Sequence, residues 1–568
     1  MSFETNAGRQ KGYYGKYLYD HQTQQDVFHA LGREILLDRV TENIENGSIT
    51  WTLSFEFEGR RKSIDVPRQF IADNKKFIDE LARAGADVPP KHFHTVLDTL
   101  RLQQEDIEAN CLVDRTYEHL GWIKLRDYDS NGNPVWRYCY RGQTLIGNNT
   151  TKASYSGPYM VRPTGSFPVW KQGVINEVIG HTLLEIVLLA GLSAVVNGLI
   201  APETTRENLI IHINGLSGTG KTTGCELAVS VSSAPFQGAS KERLSLLCSW
   251  GATANAVIRR CEGNRGAVIA FNEIGKFREA DMSPVVYNLS EGTDKERLNT
   301  DLNAKRTEVY FTTFISTGVM SMQAKCKTKA EGLSVRVMEI TDPLTDDAAH
   351  ANRIKTFCRT NYGHAAPMLA QHIIDNGGLD YVLPIYNRWR QDIVDKFPDS
   401  HFRDRFVEKF PALILTTAEL ATMALGISFD AENILDYFVK YAEKQHRDNS
   451  RSSYIVLIEE FRKNINCFYT PQGDAPRVKA YGKVSYPNKL MGDGRTLAEE
   501  YAVRRSYVEQ VLADNGFQNK QTCIKEWKRD GVLDHDDGRN TRSRRIVPNT
   551  KKSEDDMCSA CIQTPQIP

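Results

Sequence analysis

Residues 207–231, ENLIIHINGLSGTGKTTGCELAVSV, contain the clearest indication of fold in this chain. The apolar run at 209–213 predicts a short buried strand, and the residues that follow 222 have the pattern of a helix. Between them, residues 215–222 fit the spacing G-x-x-x-x-G-K-[ST]. A strand, a glycine-rich turn and a helix in this order place backbone N–H groups at a helix N-terminus, where they bind phosphate. The stretch therefore predicts a phosphate-binding loop in an α/β core.

The residues of this loop have distinct predicted roles in binding ATP and Mg²⁺. The N–H groups of residues 218–222 cradle the β-phosphate, Lys221 reaches the β- and γ-phosphates, and the hydroxyl of Thr222 binds the metal ion. The residues predicted to bind the nucleotide are Gly215, Gly218, Thr219, Gly220, Lys221, Thr222 and Thr223. A glycine-rich turn that binds nothing is the alternative interpretation.

A second apolar run, GAVIAFNE at residues 266–273, predicts a central parallel strand that ends in Asn272 and Glu273. An acid at the second of these positions polarises the attacking water, so Glu273 is the predicted general base. Asn272 stands where such strands usually have an aspartate that binds the metal. It keeps an oxygen that accepts a hydrogen bond from a metal-bound water, but it has no negative charge. The rate of hydrolysis is therefore left open.

Two further residue groups are candidates for catalysis. The strand predicted at 308–317 ends in Ser316 and Thr317, which can orient the attacking water or contact the γ-phosphate; an ordinary strand-end turn is the alternative. Arg336 interrupts the apolar residues of GLSVRVMEI and needs a carboxylate or a phosphate as partner. The γ-phosphate of a neighbouring subunit is the catalytic hypothesis for Arg336, and a salt bridge within the chain is the alternative.

The composition limits the other possibilities. A chain of 568 residues is too long for one core and predicts several domains. Lys+Arg 71 balance Asp+Glu 71, so any contact with nucleic acid must come from local clusters. Scattered cysteines fit a reducing cytoplasm. The most apolar run, residues 186–196, is shorter than the ~20 residues that span a bilayer, so it predicts a buried helix and no membrane partner.

Together the motifs resemble an AAA+ ATPase, and within that class the MCM-like branch. Several pieces are similar to the bacterial domain-of-unknown-function family 927, which includes the cassette-chromosome helicases of mobile elements. Among these pieces are SWGATANAV at 249–257, VVYNLSEGTDKER at 285–297, NYGHAAP at 361–367 and IKEWKRDGVLDHDDGRNTRSRRI at 524–546. The similarity extends over about residues 122–546, and the expected Asp-Glu pair of the family is Asn272-Glu273 here.

This resemblance implies an α/β AAA+ P-loop core with a helical lid, an α+β N-terminal region and a C-terminal winged helix. The expected domains are an α+β domain at 1–115, a β-rich subdomain at 116–173, the ATPase core at 174–342, the helical lid and connector at 343–480, the winged helix at 481–548 and a disordered tail at 549–568.

The function implied is that of a cytoplasmic, ring-forming DNA helicase or translocase, a homohexamer that replicates a mobile element or phage. Its expected partners are single-stranded or forked DNA and a primase or an initiator. Residues expected to contact DNA are Lys295, Arg297, Lys305 and Arg306 in a hairpin and Arg539, Arg542, Arg544 and Arg545 in the wing. A solvated loop and a protein-binding wing are the alternatives at these places. For the whole chain, the alternatives are a nucleotide-gated switch in phage defence and a DNA-binding AAA+ regulator with slow or absent hydrolysis.

Overall fold

The computed structural model divides the chain into two compact units, Met1–Arg162 and Pro163–Pro568. The described residues are 5–86, 88–204, 207–237, 243–293, 297–298, 304–305, 309–327, 335–397, 403–471, 480–487, 489–490, 496–515, 517, 520–535, 546 and 559–565.

The first unit combines β-sheets with two helices. Its strands are β1 (Ala7–Gln10), β2 (Tyr13–Asp20), β3 (Gln25–Arg33), β4 (Leu36–Asn43), β5 (Ile49–Phe57), β6 (Arg60–Pro67), β7 (Asp114–Tyr117), β8 (Gly121–Tyr128), β9 (Pro134–Arg141), β10 (Leu145–Ile146) and β11 (Ser154–Tyr155), and its helices are α1 (Asn74–Ala84) and α2 (Phe93–Ala109). The sheet orders are β1-β2-β3, β11-β7-β4-β5-β6 and β10-β9-β8.

The core of this unit lies between the sheet of β4–β6 and the two helices. Alternate side chains of β5 face the helices and form this core. Trp51 and Leu53 are fully buried and pack in one cluster with Phe77 of α1 and Leu100 of α2. The alternation of apolar and polar residues between 34 and 68 predicts strands, and β4, β5 and β6 lie there. The domain boundary expected at 115/116 falls inside β7, which pairs with β4 and β11, so the compact unit continues to residue 162.

The second unit contains a parallel sheet, a helical region and a C-terminal sheet. Its helices are α3 (Phe167–Glu177), α4 (Thr182–Thr204), α5 (Lys221–Ser230), α6 (Ala254–Arg259), α7 (Ser283–Glu291), α8 (Ala348–Thr360), α9 (Ala365–Asp375), α10 (Leu379–Val394), α11 (Arg403–Lys409), α12 (Pro411–Leu425), α13 (Ala431–Lys463), α14 (Arg505–Asp514) and α15 (Lys520–Arg529). Its strands are β12 (Leu209–Asn214), β13 (Leu247–Ser249), β14 (Ile269–Asn272), β15 (Arg297–Leu298), β16 (Ala304–Lys305), β17 (Thr313–Gly318), β18 (Val337–Ile340), β19 (Phe468–Tyr469), β20 (Gly482–Ser485), β21 (Lys489–Leu490), β22 (Thr496–Arg504), β23 (Leu533–Asp534) and β24 (Ser559–Pro565).

The central sheet has the order β13-β14-β17-β12-β18, and every neighbouring pair is parallel. All residues of β12 and β17 are buried, as expected of parallel strands that are covered on both faces. Because the strands are parallel, the segments that follow β12, β14 and β17 leave the sheet at the same edge. That edge carries the residues of the candidate site.

Helix α4 is longer than its apolar core predicted. It has 23 residues and the length and apolarity of a membrane span, but 94 % of its most apolar window is buried inside the protein. Gly191 allows the close approach of α5, because a Cβ atom there would lie 2.6 Å from the carbonyl oxygen of Ala228. The burial predicted for this helix is confirmed, although its length alone does not distinguish it from a membrane span.

The C-terminal sheet corrects two expectations. The residues of TLAEEYAVRR at 496–505 predict a helix, but residues 496–504 form β22, and part of the tail expected to be disordered forms β24. The order is β19-β20-β22-β24-β23, with β21 also paired to β22. The alanine and glutamate residues of β22 favour a helix, but pairing with β20 and β24 on its two sides satisfies the backbone of the strand instead.

Candidate nucleotide site

The glycine-rich loop starts where β12 ends and leads directly into α5, as the sequence predicted. Gly218 and Gly220 have φ angles of 90° and 81°, in the left-handed region that glycine adopts at no steric cost. A Cβ atom at Gly220 would also lie 2.7 Å from Oγ1 of Thr345. The backbone of the loop therefore requires glycine at these positions.

Lys221 is the first residue of α5, and its ammonium group folds back over the loop. Nζ donates hydrogen bonds to the carbonyl oxygen of Gly215, at 2.8 Å, and to that of Leu216. Thr222 is half-buried, whereas Thr223 is only 1 % exposed and belongs to the interior. A cation and the positive end of a helix dipole thus share one end of α5, and Thr222 is the more accessible of the two hydroxyl residues.

Asn272 and Glu273 lie at the end of β14, and one hydroxyl group contacts both. Oγ1 of Thr317 donates to Oδ1 of Asn272 at 2.7 Å and accepts the backbone N–H of Glu273 at 3.2 Å. A carbonyl oxygen has two lone pairs, so Oδ1 can accept a second hydrogen bond. Thr317 therefore positions both residues that were predicted from this strand.

The backbone of Glu273 is left-handed, with φ 66° and ψ 75°. Such a conformation is uncommon outside glycine and costs roughly 1 kcal/mol or more. The short 3₁₀ turn Ile274–Lys276 follows directly, and Nζ of Lys325 donates to the carbonyl oxygens of Ile274 and Phe277 at 2.9 and 2.6 Å. These bonds hold the turn and with it the direction of the Glu273 side chain.

The side chain of Ser316 lies on the opposite face of the sheet from that of Thr317, because successive side chains of a strand point to opposite faces. The indole N–H of Trp250 donates to Oγ of Ser316 at 2.9 Å, and this hydroxyl lies 2.9 Å from Nδ1 of His212. Nε2 of His212 donates in turn to the carbonyl oxygen of Met320 at 2.9 Å. Burial lowers the pKa of His212. The structure thus places Ser316 in a buried hydrogen-bond chain and only Thr317 beside Glu273.

Arg336 lies at the opposite end of the sheet. It precedes β18, whose Val337 is paired with Ile210 near the start of β12, so it is at the amino edge while the loop is at the carboxyl edge. Its guanidinium is 3.0 Å from Glu207 and 3.4 Å from Glu291 and lies over the ring of Tyr287 at 4.6 Å. The side chain is 12 % exposed. These contacts match the salt-bridge alternative, and the position of Arg336 excludes contact with the loop of its own sheet.

The residues expected to contact DNA lie mostly outside the described residues. The predicted hairpin is present, since β15 and β16 pair antiparallel with Arg297 opposite Lys305. Residues outside the description are Lys295, Arg306, Arg539, Arg542, Arg544 and Arg545.

Sequence reasoning missed the segment at residues 344–350, which lies against the loop. The backbone N–H of Leu344 donates to the carbonyl oxygen of Thr219 at 2.9 Å. The hydroxyl of Thr345, beside Gly220, is buried and has no hydrogen-bond partner among the described residues. The only sequence signal was a polar stretch after a strand, which is too common to indicate a site.

The side chains available for a magnesium ion are the Thr222 hydroxyl and the Asn272 carbonyl. Both are oxygen donors, which Mg²⁺ prefers, and Mg²⁺ usually keeps several waters and takes few ligands from the protein. The donor set therefore fits Mg²⁺, with one carboxylate fewer than an Asp-Glu pair would supply.

A parallel sheet with a glycine-rich loop at its carboxyl edge defines an α/β protein of the P-loop class. The sequence profile described as "Domain of unknown function (DUF927)" matches residues 3–309, more than half of the chain. The protein belongs to this family, and the family membership expected from the motifs is confirmed.

Two other comparisons extend the similarity. The profile described as "Cch helix turn helix domain" matches residues 448–565. Among solved structures, "SCCmec type IV Cch - active helicase" matches with a TM-score of 0.71 and 21 % identity, covering 100 % of this chain and 98 % of that chain. At this identity the likeness is one of fold. A comparison with curated proteins gave no match.

Proposed function

We propose that this protein is an ATP-driven, ring-forming DNA helicase or translocase of the MCM-like AAA+ kind, which acts in the replication of a mobile element or phage. The observation that carries the proposal is the strand order of the central sheet. Since β17 lies between β12 and β14, Lys221, Thr317 and Glu273 all lie at the carboxyl edge of three adjacent parallel strands. This is the order of parts that an ATP hydrolase of this class requires.

Each residue of the edge has a role in the proposed hydrolysis of ATP. Lys221 and the N–H groups of the loop bind the phosphates, and Lys221 gives up the loop carbonyls that it now contacts. Glu273 orients the attacking water and accepts its proton, a contribution of about 10²- to 10⁴-fold in rate. Thr317 holds Glu273 and Asn272 in position. Thr222 and Asn272 would hold Mg²⁺, which would supply positive charge against the phosphates.

Action on DNA is supported by two parts of the second unit. The β15–β16 hairpin pairs two basic residues, Arg297 and Lys305, in a position where the MCM-like resemblance expects contact with the DNA backbone. The helix-turn-helix match at residues 448–565 supports a second DNA contact. Phosphate contacts of this kind carry no sequence information and weaken as the salt concentration rises.

The test is the ATPase rate of the full chain with and without single-stranded DNA, together with strand displacement from a fork. We expect stimulation by single-stranded DNA and displacement that needs ATP. Glu273→Gln should abolish both while ATP binding, measured with a fluorescent analogue, is retained. Lys221→Ala should lose binding as well and serves as the matched control.

Two outcomes would overturn parts of the proposal. Wild-type protein that neither responds to DNA nor displaces a strand is not a helicase. If the same protein binds ATP tightly with slow turnover, a nucleotide-gated switch replaces the helicase as the proposed function. The missing charge at Asn272 favours such slow turnover. Turnover retained by Glu273→Gln would refute the role of Glu273 as the base.

A further inference from the structure

Three side chains with metal-binding atoms meet at residues 344–350, the segment that lies against the glycine-rich loop. They are His181, which precedes α4, Asp346, and His350 in the first turn of α8. One ligand atom of each lies within 4.8 Å of the other two. His350 is 3 % exposed, His181 is partly exposed and Asp346 faces solvent, so the group has one open side.

The spacing of these atoms is close to that of a metal site. Oδ1 of Asp346 is 3.9 Å from Nδ1 of His181, and Oδ2 is 3.4 Å from Nδ1 of His350. Tetrahedral ligands at the usual zinc distances lie about 3.3 Å from one another. Both distances from Asp346 to the imidazole nitrogens are close to that spacing.

The orientation of His350 favours metal binding over an ordinary ion pair. Its Nε2 lies 2.8 Å from the carbonyl oxygen of Glu177, an acceptor only, so Nε2 carries the proton and donates it. The lone pair of the neutral ring is then on Nδ1, where it accepts a hydrogen bond of 3.4 Å from the backbone N–H of Asp346, a long bond that a metal ion would replace. A histidine that donates one ring N–H to a backbone carbonyl has its tautomer and ring orientation fixed as in metal ligands, with the other nitrogen left for the ion.

We propose that His181, Asp346 and His350 form a site for a transition-metal ion of the Zn²⁺ class, with water completing the coordination. Two imidazoles and one carboxylate select such an ion over Mg²⁺, which prefers oxygen. The ion joins the turn before α4 to the start of α8. Because Leu344 of the same segment bonds to Thr219, the ion also fixes the wall of the nucleotide site.

Titration of the metal-stripped full chain with Co²⁺, followed by visible absorption, tests the site directly. We expect about one equivalent to bind with nitrogen and oxygen ligands, displaceable by Zn²⁺. His181→Ala and Asp346→Asn change exposed side chains and should each weaken binding at least tenfold. His21→Ala, an exposed histidine of the first unit, is the matched control and should bind as wild type.

The pair Cys558 and Cys561 of the C-terminal sequence is the competing source of metal binding, and Cys558 lies outside the described residues. A thiolate charge-transfer band, or loss of Co²⁺ in Cys561→Ser, would overturn the proposal. So would unchanged affinity in both site variants. As an independent readout, Zn²⁺ should raise the melting temperature of wild type but not of His181→Ala, since an ion stabilises only the state that binds it.

Discussion

At the scale of single residues, the hydroxyl of Thr317 links Asn272, the last residue of β14, to Glu273, which follows it. It donates to Asn272 and accepts from the backbone N–H of Glu273, so the position of the proposed general base depends on a group in a neighbouring strand. Asn272 has an oxygen for this bond and no charge for a metal ion. Binding of a metal ion at this position therefore depends on whether Oδ1 of Asn272, which accepts from Thr317, also accepts from a metal-bound water.

Asn272→Asp should preserve or raise turnover. One carboxylate oxygen can keep the bond from Thr317 while the other faces the metal, and a charge-assisted hydrogen bond exceeds a neutral one by about 1 kcal/mol, which corresponds to roughly five- to tenfold tighter Mg²⁺. The measurement is ATPase rate against Mg²⁺ concentration, with the exposed Asn376→Asp as the charge control. A loss of turnover would mean that the amide itself is required.

The parts of the candidate site that belong to sequence motifs were predictable from the sequence. The loop, Lys221 and Glu273 follow strands whose apolar runs are unmistakable, so their common edge could be inferred. The difference between Ser316 and Thr317 could not, because it depends on which face of a buried strand each side chain takes. The contacts of Arg336 with Glu207 and Glu291 join residues 129 and 45 positions apart, and no local pattern indicates them.

At the scale of elements, β22 and β24 show where local propensity fails. The stretch TLAEEYAVR has helix-forming residues, yet it is a strand because β20 and β24 pair with it on both sides. Its partner β24 lies more than fifty residues further along a polar sequence. Ile562 of β24 is fully buried in a cluster with Leu533 and Trp527. Such long-range pairing leaves no periodic signal, whereas α1 and α2 were predictable from their own patterns.

Ile562→Ala should therefore loosen the C-terminal sheet. Removal of a buried isoleucine side chain costs about 2–5 kcal/mol, so the amides of β22 that exchange when the sheet opens should exchange with deuterium at least about 30-fold faster. Hydrogen exchange followed by mass spectrometry of peptides that cover residues 496–504 measures this. The exposed Lys525→Ala is the control, and equal protection in both variants would contradict the pairing.

At the scale of the whole molecule, the loop and Arg336 occupy opposite edges of one sheet. If Arg336 completes the site of a neighbouring copy, which is the catalytic hypothesis from the sequence, it must exchange Glu207 and Glu291 for a phosphate. Loss of such an arginine slows hydrolysis about 10³-fold or more. A purely structural Arg336 would instead affect the stability of the chain.

Mixing Lys221→Ala protein with Arg336→Ala protein distinguishes these roles. Each variant alone should be inactive, and a 1:1 mixture should recover activity at roughly a quarter of its interfaces, where an intact loop meets an intact arginine. Arg353→Ala, which breaks an exposed ion pair with Glu177, is the control and should be active alone. No recovery, together with a lowered melting temperature of Arg336→Ala, would assign Arg336 to the salt bridge.

The separation of loop and arginine also restricts the symmetry of any assembly that joins them. An interface between unlike surfaces is heterologous, so a two-fold dimer cannot satisfy it in both directions. Each added copy turns and advances in the same sense, and the series either closes on itself or grows into a helix. All copies then present the same face to the same side, and this gives the assembly the polarity that directional movement along a strand requires.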